Sequence, residues 1–375
     1  MPRKIETLYI CDWLPPDFGA VGQYSLIFAR ELAAEGRSVV LGGLSSRGRE
    51  ETDAPCGKGH LRIIKLAAKP YEKTNFKTRI RWTININTRI VLGLWSELRS
   101  CDEILFTGSP PLLLHWIAPL NILLRKRIVY RITDFHPECL IAARGRPSWW
   151  LNLMYRLTRF WRRRVTVFEV LGEDQKARLI EIGIKEERIR VKPDRSPVVI
   201  NEATAPLERP KLEAGKALLL YSGNWGVAHD YLTFLEAYRQ HHRQGSGRIV
   251  LWLNAVGAVV EPIEAFLREE RLPYLRSYPV PMEELANLLV TPDAHLITLS
   301  DAFVGFVLPS KVHGCVASNK PIVFVGSDRS DVHRLCLGSE AYYDRVPAGD
   351  VAGCVSALER LADHVCRDRR VRVAE

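Results

Sequence analysis

The sequence predicts an α/β protein of two successive domains, each a parallel sheet covered by helices. Three observations carry this. Short apolar runs alternate with amphipathic stretches of helical length along nearly the whole chain. The alternation dissolves once, over residues 192–215, into the proline- and charge-rich KPDRSPVVINEATAPLERPKLEAG, and then resumes. Each half opens in the same way, with a strand, a glycine-bearing loop and a helix. At 375 residues the chain is long enough to bury two cores.

In chain order, residues 6–11 read as the first strand, ending in DWLPP, and residues 24–34 as the first amphipathic helix. The helix stops at Gly36, and 38–42 form the next buried strand. Strands at 103–106, 128–132 and 165–170 alternate with helices at 112–124 and 149–164. Such alternation argues for a parallel sheet covered on both faces. After the linker come strands at 217–221, 248–254, 294–299 and 321–325. The helices of this half are expected at 231–240, 261–270, 282–289 and 312–317. Residues 350–365 read as a last helix, followed by a frayed basic end, CRDRRVRV.

Hydrophobic residues make up 47% and charged residues 26%, the balance of a folded chain and not of a disordered or collagenous one. Cys11, Cys56, Cys101, Cys139, Cys315, Cys336, Cys354 and Cys366 show no C-x-x-C pair and no metal-ligand spacing. No metal site or disulfide framework is therefore expected, and a reduced cytosol fits best. MPRKIETLYI lacks the apolar core of a signal peptide, and the apolar stretch 105–124 is broken by Pro110, Pro111, His115 and Pro119. A net charge of +10 and a pI near 9.2 call for an anionic partner. Nucleic acid, phosphorylated substrates and acidic lipid headgroups all satisfy that charge.

Two loops lie where open parallel sheets bind ligands, at the mouth of a helix. The first is PPDFGAVG, with Gly19 and Gly22; the second is SGNWG, with Gly223, Asn224 and Gly226. Neither is the G-x-G-x-x-G of a dinucleotide site, and a plain tight turn is the competing reading of each. In LPSKVHG, Pro309 precedes a helix, Ser310 is a candidate N-cap, and Lys311 puts a cation in the first turn, where it opposes the helix dipole unless an anion binds. The competing reading is a solvated lysine.

The stretch 150–164 opens on Trp150 and closes on Arg164. A helical projection puts Trp150, Leu153, Met154, Leu157, Phe160 and Trp161 on one face and Arg156, Arg159, Arg162 and Arg163 on the other. This is the composition of a helix in peripheral contact with an anionic membrane, and equally of a helix covering a sheet. No nucleic-acid module is recognisable, so nucleic acid is not an expected partner.

The ordered set PPDFGAVG, RITDFHPE, YSGNWG, YPVPMEELANLL and LPSKVHGCVASNKPIVF resembles the family 4 retaining glycosyltransferases of the GT-B fold. The nearest likeness is to the branch that builds bacterial surface polysaccharides on lipid-linked carriers. The resemblance implies two facing Rossmann-like domains with the active site in the cleft between them. An acceptor domain would span 1–195, joined by a C-terminal helix over about 355–375, and a donor domain 196–354. Gly19, Gly22, Gly223, Asn224 and Gly226 would line the substrates, and Tyr278 and Val280 would receive the nucleobase. Ser310 and Lys311 would hold the donor diphosphate, and Asp134 would stand close to the reacting sugar, with His136 beside it as a second acid–base candidate.

The chain also departs from the family pattern. Two glutamates with seven residues between them in many members are Phe306 and Gly314 here. The usual diphosphate cations are replaced by Asn224 and His229, and the histidine before the aspartate by Thr133. The expected function is a cytoplasmic, metal-independent transfer, at the inner face of the plasma membrane, from a nucleoside-diphosphate sugar to a lipid-linked saccharide, with no cofactor beyond the nucleotide sugar. A nucleotide-sugar epimerase of the same architecture and a non-catalytic nucleotide-sugar or nucleic-acid binder are the alternatives.

Overall fold

A computed structural model describes residues 4–17, 20–69, 76–146 and 148–374, and the chain divides into two compact units, Met1–Asp194 and Arg195–Glu375. In the first unit the elements run β1 (Thr7–Trp13), α1 (Ala20–Ala34), β2 (Ser38–Ser45), β3 (Glu50–Cys56), β4 (Gly59–Ala67), α2 (Phe76–Gly93), α3 (Trp95–Ser100), β5 (Glu103–Thr107), α4 (Leu114–Leu124), β6 (Arg127–Ile132), α5 (Glu138–Arg144), α6 (Trp149–Arg162), β7 (Val167–Val170), α7 (Glu173–Glu181) and β8 (Ile189–Val191). Their strands form one sheet in the order β3-β4-β2-β1-β5-β6-β7-β8, parallel throughout except for the β3–β4 hairpin. Central strands are apolar on both faces because helices cover both. Tyr9, Leu41 and Leu105 pack under Phe28, Ala29 and Leu32 of α1. That helix ends as its glycine predicts: Gly36 takes φ +113°, and the amides of Gly36 and Arg37 donate back to Ala33 O and Leu32 O.

The second unit contains β9 (Ala217–Asn224), α8 (Leu232–Arg243), β10 (Ile249–Val256), α9 (Val260–Glu269), β11 (Tyr274–Ser277), α10 (Met282–Val290), β12 (Ala294–Thr298), α11 (Lys311–Ala317), β13 (Ile322–Val325), α12 (Asp331–Leu337), β14 (Tyr343–Val346) and α13 (Val351–Ala374). Its sheet, β11-β10-β9-β12-β13-β14, has every pair parallel. A second set of parallel crossovers thus repeats the organisation of the first half. No regular element lies between β8 and β9, where the linker is expected.

The C-terminal helix departs from expectation in two ways. Its apolar face, Cys354, Ala357, Leu358, Leu361, Ala362 and Val365, sits in the core of the second unit beside Phe234, Ala237 and Tyr238 of α8, and the helix is part of that unit. Nor does it fray at Cys366. Arg369 donates to Asp293 Oδ2 (2.6 Å) and Lys216 O (2.9 Å), which ties the last turns down. Buried His241 adds a further tie, with Nδ1 2.6 Å from Glu359 of α13.

Candidate active site

In the first unit, β1, β5 and β6 run parallel and side by side, so their C-terminal ends converge on one edge of the sheet, where the site residues gather. Gly22, in the first turn of α1, is required by close packing: a Cβ there would lie 1.7 Å from Trp13 O. Gly19 lies outside the described residues. Asp134 follows β6 and is half-buried. Gly108, after β5, lets the chains approach, since a Cβ would meet Asp134 O at 2.8 Å. Burial first, and the nearby Asp12 carboxylate second, push the Asp134 carboxyl up to about 6.

Asp12 is the group sequence reasoning missed. It is the penultimate residue of β1, accepts a hydrogen bond from Ser109 Oγ at 2.6 Å on Oδ2, and buries Oδ1 without a hydrogen-bond partner. Burial also raises its own carboxyl above the ordinary range. Thr133 Oγ1 is likewise buried without a hydrogen-bond partner. Two carboxyl groups and a hydroxyl with unused hydrogen-bonding capacity thus meet at these strand ends. The sequence signal for Asp12 was its position at the strand end before Pro15.

His136 is half-buried, and its carbonyl accepts from Arg162 Nη2 at 3.2 Å. Arg162 is fully buried, pairs with Glu138 through two nitrogens (Nη2–Oε2 3.0 Å), and lies 5.1 Å from the centre of the Phe135 ring. This corrects the helical projection for α6. Arg162 faces inward with Leu151 and Thr158, Arg159 donates to Ile182 O at 3.2 Å, and Leu153, Leu157 and Phe160 face solvent. Arg162 therefore serves as scaffold for the Asp134–Glu138 segment and is not a surface cation.

In the second unit, β9 runs into the predicted loop. Gly223 takes φ +99°, a conformation costly for any other residue, while Asn224 is exposed and Gly226 half-buried. Trp225 is fully buried, and its amide donates to Val256 O at 2.6 Å. His229 donates from Nδ1 to Thr298 O at 2.6 Å. Burial, with the Lys311 amine second, lowers it to about 3, so the imidazole is neutral and brings no positive charge to this loop. The mouth of α8 is already capped: Asp230 accepts from the Thr233 amide (3.1 Å) and hydroxyl (2.7 Å), placing an anion where the sequence pattern left room for a phosphate.

Ser310 is not the N-cap the pattern predicts. Its backbone is already helical, φ −57°, ψ −25°, and its side chain makes no cap bond. Lys311 Nζ is buried, without a hydrogen-bond partner, 3.1 Å from the centre of the Tyr221 ring. Trp225 stacks on Tyr221 at 3.5 Å, and sterics put it on the opposite face, so Tyr221 is sandwiched between indole and amine. Burial drives the amine well below its usual range, opposed only weakly by Cys315. A solvated lysine is thereby excluded.

Tyr278, after β11, is 73% exposed, with the Arg276 guanidinium 4.7 Å from its ring centre. Val280 packs into a small apolar cluster with Trp252 and Leu288. Buried Asn254, at the end of β10, anchors this loop by donating to Ser277 Oγ (2.8 Å) and Tyr278 O (2.6 Å). Among the described residues no group of three or more His, Cys, Asp or Glu side chains is placed to hold a metal ion, and no helix is long and apolar enough to cross a membrane.

No family model matches the chain. Among solved structures it is similar to Anabaena Alr3699/HepE in complex with UDP and glucose, with a TM-score of 0.63 and 10% identity over 95% of this chain and 89% of that one. A lipopolysaccharide outer core galactosyltransferase, WaaB, matches with a TM-score of 0.55 and 13% identity over 96% and 90%. A structure of trehalose-6-phosphate from E. coli bound with UDP-2-fluoro glucose matches with a TM-score of 0.63 and 12% identity over 96% and 93%. The fold is GT-B. In sequence, the chain is 25% identical over 288 residues to a probable glycosyltransferase of Pseudomonas aeruginosa, WbjE, covering 73% of this chain and 68% of that protein. The likeness thus spans both halves of the GT-B chain and rests on a glycosyltransferase relative.

Proposed function

We propose that this protein is a retaining glycosyltransferase that moves a sugar from a nucleoside-diphosphate sugar to a lipid-linked saccharide in surface-polysaccharide synthesis, working in the cytoplasm at the inner face of the plasma membrane. The observation that carries the reading is the relationship to a probable glycosyltransferase over most of the chain, in a GT-B fold. In the first unit, Asp134 orients the acceptor hydroxyl and takes its proton as the new bond to the anomeric carbon forms and the bond to the diphosphate breaks. A carboxyl near 6 suits this role, being ionised at neutral pH yet more basic than an ordinary aspartate. Asp12 acts through Asp134, by charge, and His136 is held beside it on the Arg162 scaffold.

In the second unit, Lys311 is the cation for the donor diphosphate, and the Gly223–Asn224–Gly226 turn and Ser310 line the same ligand. The support is that its amine is buried without a hydrogen-bond partner, next to a loop whose other basic residue is neutral. An anion supplies the missing counter-charge. Tyr278 and Val280 receive the nucleobase on a loop fixed by Asn254. The transfer is metal-independent, so EDTA leaves its rate unchanged.

The test is to incubate the full chain with radiolabelled UDP-, GDP- and ADP-sugars and a lipid extract. Transfer of label to the lipid phase, abolished in Asp134→Asn, is expected. Conversion of the sugar with no acceptor present would overturn the reading in favour of an epimerase.

A further inference from the structure

The largest group of exposed apolar side chains in the first unit lies on three helices that touch one another. Thr88 of α2 accepts from Trp116 Nε1 of α4 at 3.2 Å, and His115 Nε2 of α4 lies 2.9 Å from Thr158 Oγ1 of α6. Their solvent sides carry Ile84 (51% exposed), Ile122, Leu123 (80%), Leu153, Leu157 and Phe160, and Trp149 (79%) opens α6. So much exposed apolar surface on adjoining helices calls for a partner.

Charge selects which partner. The three helices contain no Asp or Glu at any position. The cations among and beside the apolar groups are exposed: Arg81 and Arg89 on α2, Arg125 after α4, and Arg156, Arg163 and Arg164 along and after α6. Arg164 lies 4.0 Å from the centre of the Phe160 ring, a pairing of cation and aromatic that suits an interface of headgroups and acyl chains. A protein partner buried against this face would leave an unbalanced row of cations; an anionic leaflet balances them while taking the apolar side chains.

We propose that the outward face of α2, α4 and α6 is a docking surface for an anionic lipid bilayer. The face is broader than the α6 stretch alone and extends toward the strand ends. There α2 lines an open hollow of about 470 Å³ with Thr78, Arg81, Trp82, Ile84 and Asn85, and Trp82 stacks at 6.3 Å on Trp13, the residue after Asp12. This end of the surface is where a lipid-linked acceptor would come within reach of Asp12 and Asp134. That last step rests on the proposed reaction, whereas bilayer docking does not.

The experiment is sedimentation of the full chain with phosphatidylcholine vesicles, with and without phosphatidylglycerol, at low and high salt. Binding to the anionic vesicles alone, weakened by salt, is expected. The variant R156Q/R163Q/R164Q should lose roughly 100-fold in partition coefficient, from about fivefold per cation removed. L123S should lose severalfold with its melting temperature unchanged, and V199S, an equally exposed site in the linker, should lose nothing. Equal binding to both vesicle types, or an undiminished triple variant, overturns the proposal. So does an oligomer that L123S dissociates while wild-type chain ignores vesicles, since the face would then be a protein interface. Because no sugar transfer is read, failure of the enzymatic reading leaves this outcome untouched.

Discussion

Replacing Asp134 by asparagine should stabilise the protein at neutral pH while removing its activity. In the folded chain the carboxyl holds its proton up to about 6, against an ordinary 3.8, mainly because burial penalises the anion. The folded state therefore binds more protons than the unfolded state between these values, and stability falls as pH rises through that window. Above it the deficit is constant, at most about 3 kcal/mol for a difference of roughly two pH units at 1.36 kcal/mol each. Asp134 keeps part of its surface in water, so about 1–2 kcal/mol is expected. Urea unfolding of Asp134→Asn and wild type, at pH 7.5 and near pH 3.5, measures this. The variant should be more stable by that amount at pH 7.5 and equal to wild type at the acid end, with kcat down at least about 100-fold. A variant that loses stability at pH 7.5 would refute the reasoning, because the carboxylate would then be satisfied in the fold and not held ready for a substrate.

Asp12→Asn removes the charge that helps to raise Asp134, so the acid limb of the kcat profile should move to lower pH; an unmoved limb would separate the two carboxyls. Lys311→Met should weaken nucleotide-sugar binding about 10- to 150-fold in calorimetry, the worth of one lost charged hydrogen bond. Without ligand, the same variant should unfold no earlier than wild type, since burying the amine is itself costly. Arg162→Met leaves Glu138 buried without its partner and should cost about 3–5 kcal/mol in denaturant unfolding.

The sequence reveals the central strands and the helices between them because an apolar run of four to eight residues in a covered sheet has few other readings. The elements it hides are those whose pattern is polar. Strand β3, EETDAPC, is an exposed edge that pairs antiparallel and carries a proline, so nothing in it alternates. Helix α2, FKTRIRWTININTRIVLG, is rich in β-branched and asparagine residues of weak helix propensity and holds through packing on its neighbours. In α6 the period is legible but the side is not, because the buried positions Thr158 and Arg162 are satisfied by His115 and Glu138, partners from distant segments. The same holds for the site. The positions of Asp134, Lys311 and Asn224 follow from motif order, whereas the Tyr221–Lys311 contact, the neutral His229 and the coupling of Asp12 to Asp134 arise from burial between strands far apart in sequence.

Thermal unfolding of the full chain with millimolar UDP-, GDP- and ADP-sugars tests the central claim most directly, since a ligand that binds only the native state at a hundredfold excess over its Kd adds about 2.7 kcal/mol. One nucleotide class should raise the melting temperature by about 5–10 °C, and Lys311→Met should abolish most of that rise. A flat response to all three classes, or a rise that Lys311→Met leaves intact, would contradict a donor diphosphate held at the buried amine of the second unit.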